Sequence, residues 1–143
     1  LAPTSSVINL GDDGANTGSG ATFVAYSFHS VEGYSKVGSY VANENADGPF
    51  IYTGFRPAIV LIKNIDNSSH GWFWYDNKRD PYNAEQSRLM PNLNSAQLYT
   101  NPTLDFVSNG FKLRTASTFV NDDTETNLYM AFAESPFKYS NAR

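Results

Sequence analysis

A short apolar segment at residues 58–62 limits what this chain can fold into. Its five residues, Ala-Ile-Val-Leu-Ile, lie between Pro57 and Lys63. The segment is too short for a helix of ordinary length, and an unbroken apolar run of this size is typical of a strand covered on both faces. A turn at residues 53–57 connects it to the aromatic residues 50–52. The sequence therefore predicts two strands at the centre of a β-structure.

A strong turn signal lies further along the chain, at Asn109-Gly110. Asn-Gly between two alternating segments favours a tight hairpin, and such segments occupy residues 104–107 and 111–114. Successive side chains of a strand point to opposite faces. We therefore expect the phenylalanine and leucine of the second segment in the core, with its lysine and arginine outside.

Other segments show the same alternation between turn-forming residues. Period-two patterns with bulky apolar residues indicate strands, and polar turns between them indicate hairpins. The further predictions are a hairpin of residues 58–65 with 72–76, a hairpin of residues 117–120 with 127–133, a central strand over residues 22–30, and either one helical turn or an edge strand over residues 84–90.

The composition favours a single β-rich domain. Aromatic residues make up 15% of the 143 residues and charged residues 17%, against about 25% charged residues in an average domain. We predict an all-β fold, an antiparallel β-sandwich of jelly-roll-like form with about eight to ten strands. Residues 21–143 are expected to form this domain. Residues 1–20 are expected to be an N-terminal extension or the tail of a preceding unit, because residues 23–27 resemble residues 129–133.

Charge and composition argue against several function classes. The net charge is −4 and the chain has no cluster of Lys and Arg, whereas a nucleic-acid binder needs a basic surface. No apolar run reaches the roughly 18 residues of a membrane-spanning helix. The chain has no cysteine, and its two histidines, His29 and His70, lie in unrelated contexts. We therefore expect no metal site, no cofactor, no nucleic-acid partner and no membrane insertion.

The feature with a functional interpretation is an aromatic cluster between residues 72 and 83. Flat aromatic faces beside side chains that donate and accept hydrogen bonds are what a sugar-binding surface uses. The alternative is that these aromatics fill the core, and burial of both tryptophans would exclude the sugar-binding interpretation. The candidate ligand-binding residues are Trp72, Trp74, Tyr75, Asp76, Asn77, Arg79 and Tyr82.

Charged residues offer two other interpretations. Arg56 lies in a turn between two apolar segments, where its guanidinium is expected to bind nearby carbonyl groups or a carboxylate such as Asp105 rather than a ligand. Two carboxylates across a cleft would indicate a glycan-cleaving enzyme. The spacing of the available carboxylates favours surface and turn roles instead, for Glu32, Asp76, Asp105 and Glu134.

Five phrases of the sequence together resemble one domain family. They are FHSVEGYSKVGSY (28–40), DGPFIYTGFRPAIVLIK (47–63), YDNKRDPYN (75–83), DFVSNGFKLR (105–114) and YMAFAESPFKYSNAR (129–143). In this order they resemble a domain that recurs in structural proteins of bacteriophages, especially marine phages. That domain is often found at the C-terminal end of large tail-fibre or tail-associated proteins. The resemblance covers residues 22–143 and brings no catalytic residues with it.

The resemblance implies a role, a location and partners. The expected role is that of a non-enzymatic virion structural protein, a tail-fibre or tailspike domain that attaches the phage particle to the host surface. Such domains commonly work as homotrimers. The implied partners are therefore further copies of the chain, other virion proteins and a host surface glycan. The alternatives are a capsid or tail decoration or assembly domain without a ligand, and a glycan-cleaving enzyme.

Overall fold

Two four-stranded antiparallel sheets pack face to face in this chain, as the predicted β-sandwich requires. A computed structural model describes residues 4–11 and 14–136. Over these residues the elements are α1 (Gly14–Thr17), β1 (Ser35–Val41), β2 (Phe50–Tyr52), β3 (Pro57–Asn64), β4 (Trp72–Asp76), β5 (Glu85–Arg88), β6 (Leu98–Val107), β7 (Gly110–Leu113), α2 (Thr118–Asn121) and β8 (Thr126–Ala133). The last residues of the phrase at 129–143 lie outside the described part of the chain.

The first sheet has the strand order β1-β8-β3-β4 and is apolar on both faces. Val60 and Ile62 of β3 point inwards and are fully buried. Ile59 and Leu61 point outwards and are half-buried. The run at residues 58–62 is unbroken because its strand contributes apolar side chains to both faces of the sheet.

The second sheet has the order β2-β7-β6-β5 and closes the core from the other side. Leu104 and Phe106 of β6, and Phe111 and Leu113 of β7, are all fully buried. Phe111 meets Tyr129 of β8 edge-on, with ring centroids 5.4 Å apart. Aromatic packing of this kind joins the two sheets across the core.

The main hairpin predictions are confirmed. β3 pairs with β4 so that Val60 lies opposite Tyr75. β6 pairs with β7 around the predicted turn, with Val107 opposite Gly110. The segment at residues 84–90 contains β5, which is an edge strand of the second sheet. The nested pairing of β1 with β8 and of β2 with β7 is the wrapping expected of a jelly-roll-like chain.

The predicted central strand over residues 22–30 was wrong. These residues have no regular secondary structure and are exposed throughout. An alternating pattern gives a strand only where a sheet edge is free to pair with it, and the nearest edge is β1. There the hydroxyl of Ser30 accepts a hydrogen bond from the amide of Val37 at 3.0 Å and donates to its carbonyl oxygen at 3.3 Å. The boundary between residues 1–20 and 21–143 stays a prediction.

The predicted hairpin of residues 117–120 with 127–133 was wrong in its first arm. Residues Thr118–Asn121 form the helical turn α2, and β8 pairs with β1 and β3 instead. Tertiary contacts decide this conformation, because the Tyr40 hydroxyl donates a buried hydrogen bond of 2.6 Å to the carbonyl oxygen of Val120. In the part of the chain that the structure describes, no helix is long and apolar enough to cross a membrane.

A pair of backbone hydrogen bonds joins the two sheets at one corner. Trp74 of β4 and Leu89, which follows β5, exchange amide-to-carbonyl hydrogen bonds of 3.0 Å in both directions. The free edge of β4 is therefore covered at its middle residue. This bridge fixes the position of Trp74, which belongs to the candidate site.

Candidate functional site

Strand β4 divides its four aromatic residues between the core and the outer face. Phe73 and Tyr75 are fully buried, whereas Trp72 is 42% exposed and Trp74 is half-buried. Side chains alternate along a strand, so the two tryptophans lie side by side on the outside of the first sheet. The condition that would exclude a sugar-binding surface, burial of both tryptophans, is not met.

Asp76 holds the turn that follows β4 and orients the Trp74 ring. One carboxylate oxygen accepts hydrogen bonds from the amides of Lys78 (3.1 Å) and Arg79 (3.0 Å). The other oxygen accepts a hydrogen bond of 3.1 Å from the indole nitrogen of Trp74 and forms an ion pair with the Arg79 guanidinium. Because the indole and the guanidinium share one oxygen, Trp74 and Arg79 are held next to each other.

A shallow depression of about 400 Å³ opens on this side of the outer face. Its lining combines apolar and polar side chains, which is the combination found in small-molecule sites. The apolar lining residues are Ala58, Ile59, Trp74 and Leu89, and the polar ones are Asp76, Asn77, Lys78 and Arg79. We call this the Trp74 depression. It brings together four of the seven predicted ligand-binding residues, namely Trp74, Asp76, Asn77 and Arg79.

The other three predicted residues lie elsewhere. The prediction for Tyr75 was wrong, since it faces the core, where burial raises the pKa of its hydroxyl group. Tyr82 is 84% exposed on the following loop and does not line the depression. Trp72 lies on the same face but lines a separate apolar groove. The error for Tyr75 arises because every second side chain of β4 points into the core and away from the outer face.

A second network fixes the far side of the depression. Asn77 donates a hydrogen bond of 2.8 Å from its side-chain nitrogen to Glu134, and Glu134 forms an ion pair of 3.0 Å with Arg56. Arg56 also donates to the carbonyl oxygen of Phe106 at 2.8 Å. The prediction that Arg56 binds a carbonyl group or a carboxylate of the protein is thus confirmed. Its carboxylate partner is Glu134, because Asp105 pairs with Arg114.

One polar atom of this network has no partner. The side-chain oxygen of Asn77 is buried, and no hydrogen-bond donor reaches it from the described residues. Buried acceptors are normally satisfied, because an unmade hydrogen bond costs free energy. Because this atom is covered by the protein, it is not part of the surface that the depression offers to a ligand.

Sequence reasoning missed the apolar half of the site. Ile59 could have been found from the hairpin register, because it lies opposite Asp76 on the paired strand. Leu89 carried no comparable signal, since its place depends on the backbone bridge to Trp74 between the two sheets. Contacts between sheets are not encoded in any local pattern, and this part of the site could not be predicted.

The carboxylates near the site hold loops or lie in the core. Asp80 accepts hydrogen bonds from the amides of Gln86 (2.7 Å) and Ser87 (2.5 Å). Glu85 is 1% exposed, and one of its oxygens has no hydrogen-bond partner. Burial, followed by repulsion from Asp80 and Asp76, raises the pKa of Glu85 to about 8. A raised pKa suits a catalytic acid, but a side chain closed off in the core cannot reach a glycosidic bond.

No metal centre or known relative defines the site further. Among the residues that the structure describes, no group of three His, Cys, Asp or Glu side chains could hold a metal ion.

A family described as "Domain of unknown function (DUF7483)" matches residues 1–136. The chain belongs to this family. The eight strands of the described residues and the Trp74 depression lie within the family's match, whose description assigns no function. No curated protein and no solved structure matches the chain.

Proposed function

We propose that this chain is a non-enzymatic phage virion domain that attaches the particle to the host surface, and that it binds a host glycan in the Trp74 depression. The observation that carries the binding proposal is the position of Trp74. Its ring lies on the outer face of the sheet, beside the polar side chains of Asp76 and Arg79.

The chemistry of the depression suits a sugar ring. The apolar face of a sugar packs against a flat aromatic surface, while its hydroxyl groups need donors and acceptors at the edge. Trp74 and Ile59 supply the apolar surface, Lys78 and Arg79 supply hydrogen-bond donors, and Asp76 supplies an acceptor. The fixed indole orientation lowers the entropic cost of binding, because the ring does not have to be ordered by the ligand.

A depression of this size supports weak binding at each site. Millimolar affinity corresponds to only about −4 kcal/mol, which a few contacts can supply. Several linked copies raise the overall affinity by a factor of about 10² to 10⁴ without any new contact. A virion attachment domain present in several copies, with a homotrimer as the favoured form, fits this requirement. The virion location and the tail-fibre role rest on the sequence resemblance of residues 22–143.

The glycan proposal is tested by screening the purified chain on a glycan array and then measuring the best ligand by calorimetry. Trp74→Ala should weaken binding by about fivefold or more, since an aromatic contact of this kind is worth about 1 kcal/mol or more. Trp72→Ala is the matched control, because it removes a tryptophan from the same strand outside the depression. The control should retain the affinity of the wild-type chain.

Two results would contradict glycan binding at this site. One is the absence of binding to any glycan at high protein concentration. The other is an equal loss of affinity in the Trp72 and Trp74 variants, which would point to a general effect on the sheet. Thermal unfolding of both variants shows whether each remains folded.

A second candidate function is a decoration or assembly domain of the capsid or tail without a ligand. The observation that favours it is the amount of apolar surface on the outer face of the first sheet, where Val37, Trp72 and Leu128 are all exposed. Exposed apolar surface of this kind commonly marks a protein–protein contact. The two functions use different residues and can coexist on one domain.

A further inference from the structure

An apolar groove of about 440 Å³ crosses the outer face of the first sheet, next to the Trp74 depression. Each of the four strands contributes at least one lining residue to it. Two further lining residues belong to the segment before β1. Its principal lining residues are Tyr26, Phe28, Val37, Leu61, Trp72 and Leu128. No charged residue lines it in the part of the chain that the structure describes. The groove and the Trp74 depression share no lining residue.

The lysine in the cross-strand row of Trp72 and Leu128 does not line this groove. Lys63 lies in the same cross-strand row as Leu128 and Trp72. Its ammonium group donates a hydrogen bond of 2.9 Å to the carbonyl oxygen of His70 and another to that of Asn64. The groove therefore presents hydrocarbon and aromatic surface without a charge to bind phosphate or carboxylate.

Residues 22–30, which we call the arm, form the wall of the groove. The arm is anchored at its end by a 2.9 Å hydrogen bond from the Ser35 hydroxyl to the carbonyl oxygen of His29. The Phe28 ring packs edge-on against Phe132 of β8 at 6.1 Å. Tyr26 is nevertheless 82% exposed. The arm thus adds aromatic surface to the outer face without covering it.

The exposed apolar area is large enough for a protein interface. Four aromatic residues of the arm and groove, Phe23, Tyr26, Phe28 and Trp72, are between 42% and 82% exposed. With about 200 Å² for a whole aromatic side chain, their exposed surface comes to roughly 450 Å². A standard interface buries about 800 Å² per partner. The exposed aliphatic residues Val24, Val37 and Leu128 make up much of the difference.

We infer that the arm and the groove together form an interface with a second copy of this chain. The surface is uncharged, and residues 14–31 contain no Asp, Glu, Lys or Arg. Anionic membranes and nucleic acids are recognised through basic residues, so these partners do not fit. A second copy of the chain presents the same apolar surface, so two copies can bury this surface against each other. This inference does not depend on glycan binding, because the Trp74 depression stays outside the interface.

The test places a charge on the arm and measures self-association by sedimentation equilibrium over a range of concentrations. Tyr26→Glu introduces an unpaired carboxylate at a residue that lines the groove. We expect the wild-type chain to associate, and we expect Tyr26→Glu to weaken association by about 100-fold or more, as for a charge buried without a partner. Tyr82→Glu is the matched control, since Tyr82 is 84% exposed on a loop away from the groove. The control should associate as the wild-type chain does.

A strictly monomeric wild-type chain at high concentration would overturn the inference. The same holds if Tyr26→Glu and Tyr82→Glu have equal effects. A second variant, Leu128→Lys, alters the floor of the groove and should also dissociate the oligomer, with thermal unfolding as a check on its fold. Trp74→Ala should leave self-association unchanged. A loss of glycan binding without a change in oligomeric state would therefore separate the two proposals.

Discussion

Glu85 is a carboxyl group placed inside the core of the second sheet. It lies opposite Leu104 on the neighbouring strand, with 1% of its surface exposed. Burial and the nearby carboxylates raise its pKa from 4.5 to about 8. The folded chain therefore keeps a proton on Glu85 at neutral pH, whereas the unfolded chain releases it. The free energy of unfolding therefore falls as the pH rises from 4.5 to about 8. Over this range the unfolded chain gains stability by releasing the proton, whereas the folded chain keeps it.

This linkage predicts a pH dependence that one substitution removes. Between pH 4.5 and about 8, the free energy of unfolding should fall with rising pH by up to about 1.4 kcal/mol per pH unit through Glu85. Glu85→Gln should remove this contribution and be more stable than the wild-type chain at pH 8. Urea unfolding at a series of pH values measures the slope.

The matched control for this substitution is Glu44→Gln, which changes an exposed glutamate. If Glu85→Gln and the wild-type chain show the same slope, Glu85 is not the group responsible. Glutamine also keeps the size of the side chain, so a gain in stability at high pH would not arise from a change in packing.

At the scale of elements, a close approach between β2 and β7 depends on a glycine. Gly110 lies opposite Tyr52 in the pairing of these strands. A Cβ atom added at Gly110 would lie 2.1 Å from the backbone oxygen of Ile51. A backbone atom cannot move aside as a side chain can, so the strands must separate. This steric need is in addition to the turn preference that makes Asn109-Gly110 a hairpin signal.

Gly110→Ala should therefore lower the free energy of unfolding by about 2–3 kcal/mol, the upper range for overpacking. Denaturant unfolding measures the change. Gly11→Ala is the control, because no heavy atom lies within 4 Å of its added Cβ. An equal and small effect of both substitutions would mean that β2 moves away at little cost.

Strand prediction succeeded where a segment with an alternating pattern also has a neighbouring strand to pair with. The segment at residues 104–114 combines alternation with a turn signal, and both survive in β6 and β7. The arm at residues 22–30 has equally good alternation but does not pair with β1, the edge strand nearest to it. Residues 118–121 have β-branched and aromatic side chains, yet buried contacts at Val120 and Asn121 select a helical turn. Propensity describes a segment alone, whereas these outcomes depend on its neighbours.

The same reasoning limits prediction of the candidate site. The four aromatics of residues 72–75 indicated an aromatic site, but the pattern alone does not say which alternate pair faces outwards. Trp72 and Trp74 could have filled the core equally well. The choice depends on the packing of Phe73 and Tyr75 against the opposite sheet, which no single strand encodes. Asp76, Asn77 and Arg79 followed from their place in the turn after the strand.

At the scale of the whole molecule, a single amide closes one end of the sandwich. The side chain of Asn121 is fully buried, and its nitrogen donates hydrogen bonds to the carbonyl oxygens of Asn45 (2.9 Å) and Thr115 (2.7 Å). Its oxygen accepts a hydrogen bond of 3.0 Å from the amide of Asn43. The loop between β1 and β2 is thereby tied to the segment between β7 and β8.

Asn121→Ala should cost about 3 kcal/mol of unfolding free energy, because it leaves several buried polar groups without partners. Thermal and urea unfolding both report this loss. Asn94→Ala, at an exposed loop position, should change stability by less than about 0.5 kcal/mol. A small effect of Asn121→Ala would show that water or a shifted loop replaces the lost hydrogen bonds.

The pairing of β1 with β8 has a consequence for mechanical load. β1 begins where β8 ends, since Ser35 lies opposite Phe132 and Val41 lies opposite Thr126. A pulling force applied to the chain just before β1 and just after β8 acts at the same end of this pair. The strands would then separate like a zipper, one pair of residues after another, and not slide past each other with all pairs loaded together. A domain loaded in this way yields at low force, so this fold withstands tension best when the force does not act across the β1–β8 pair.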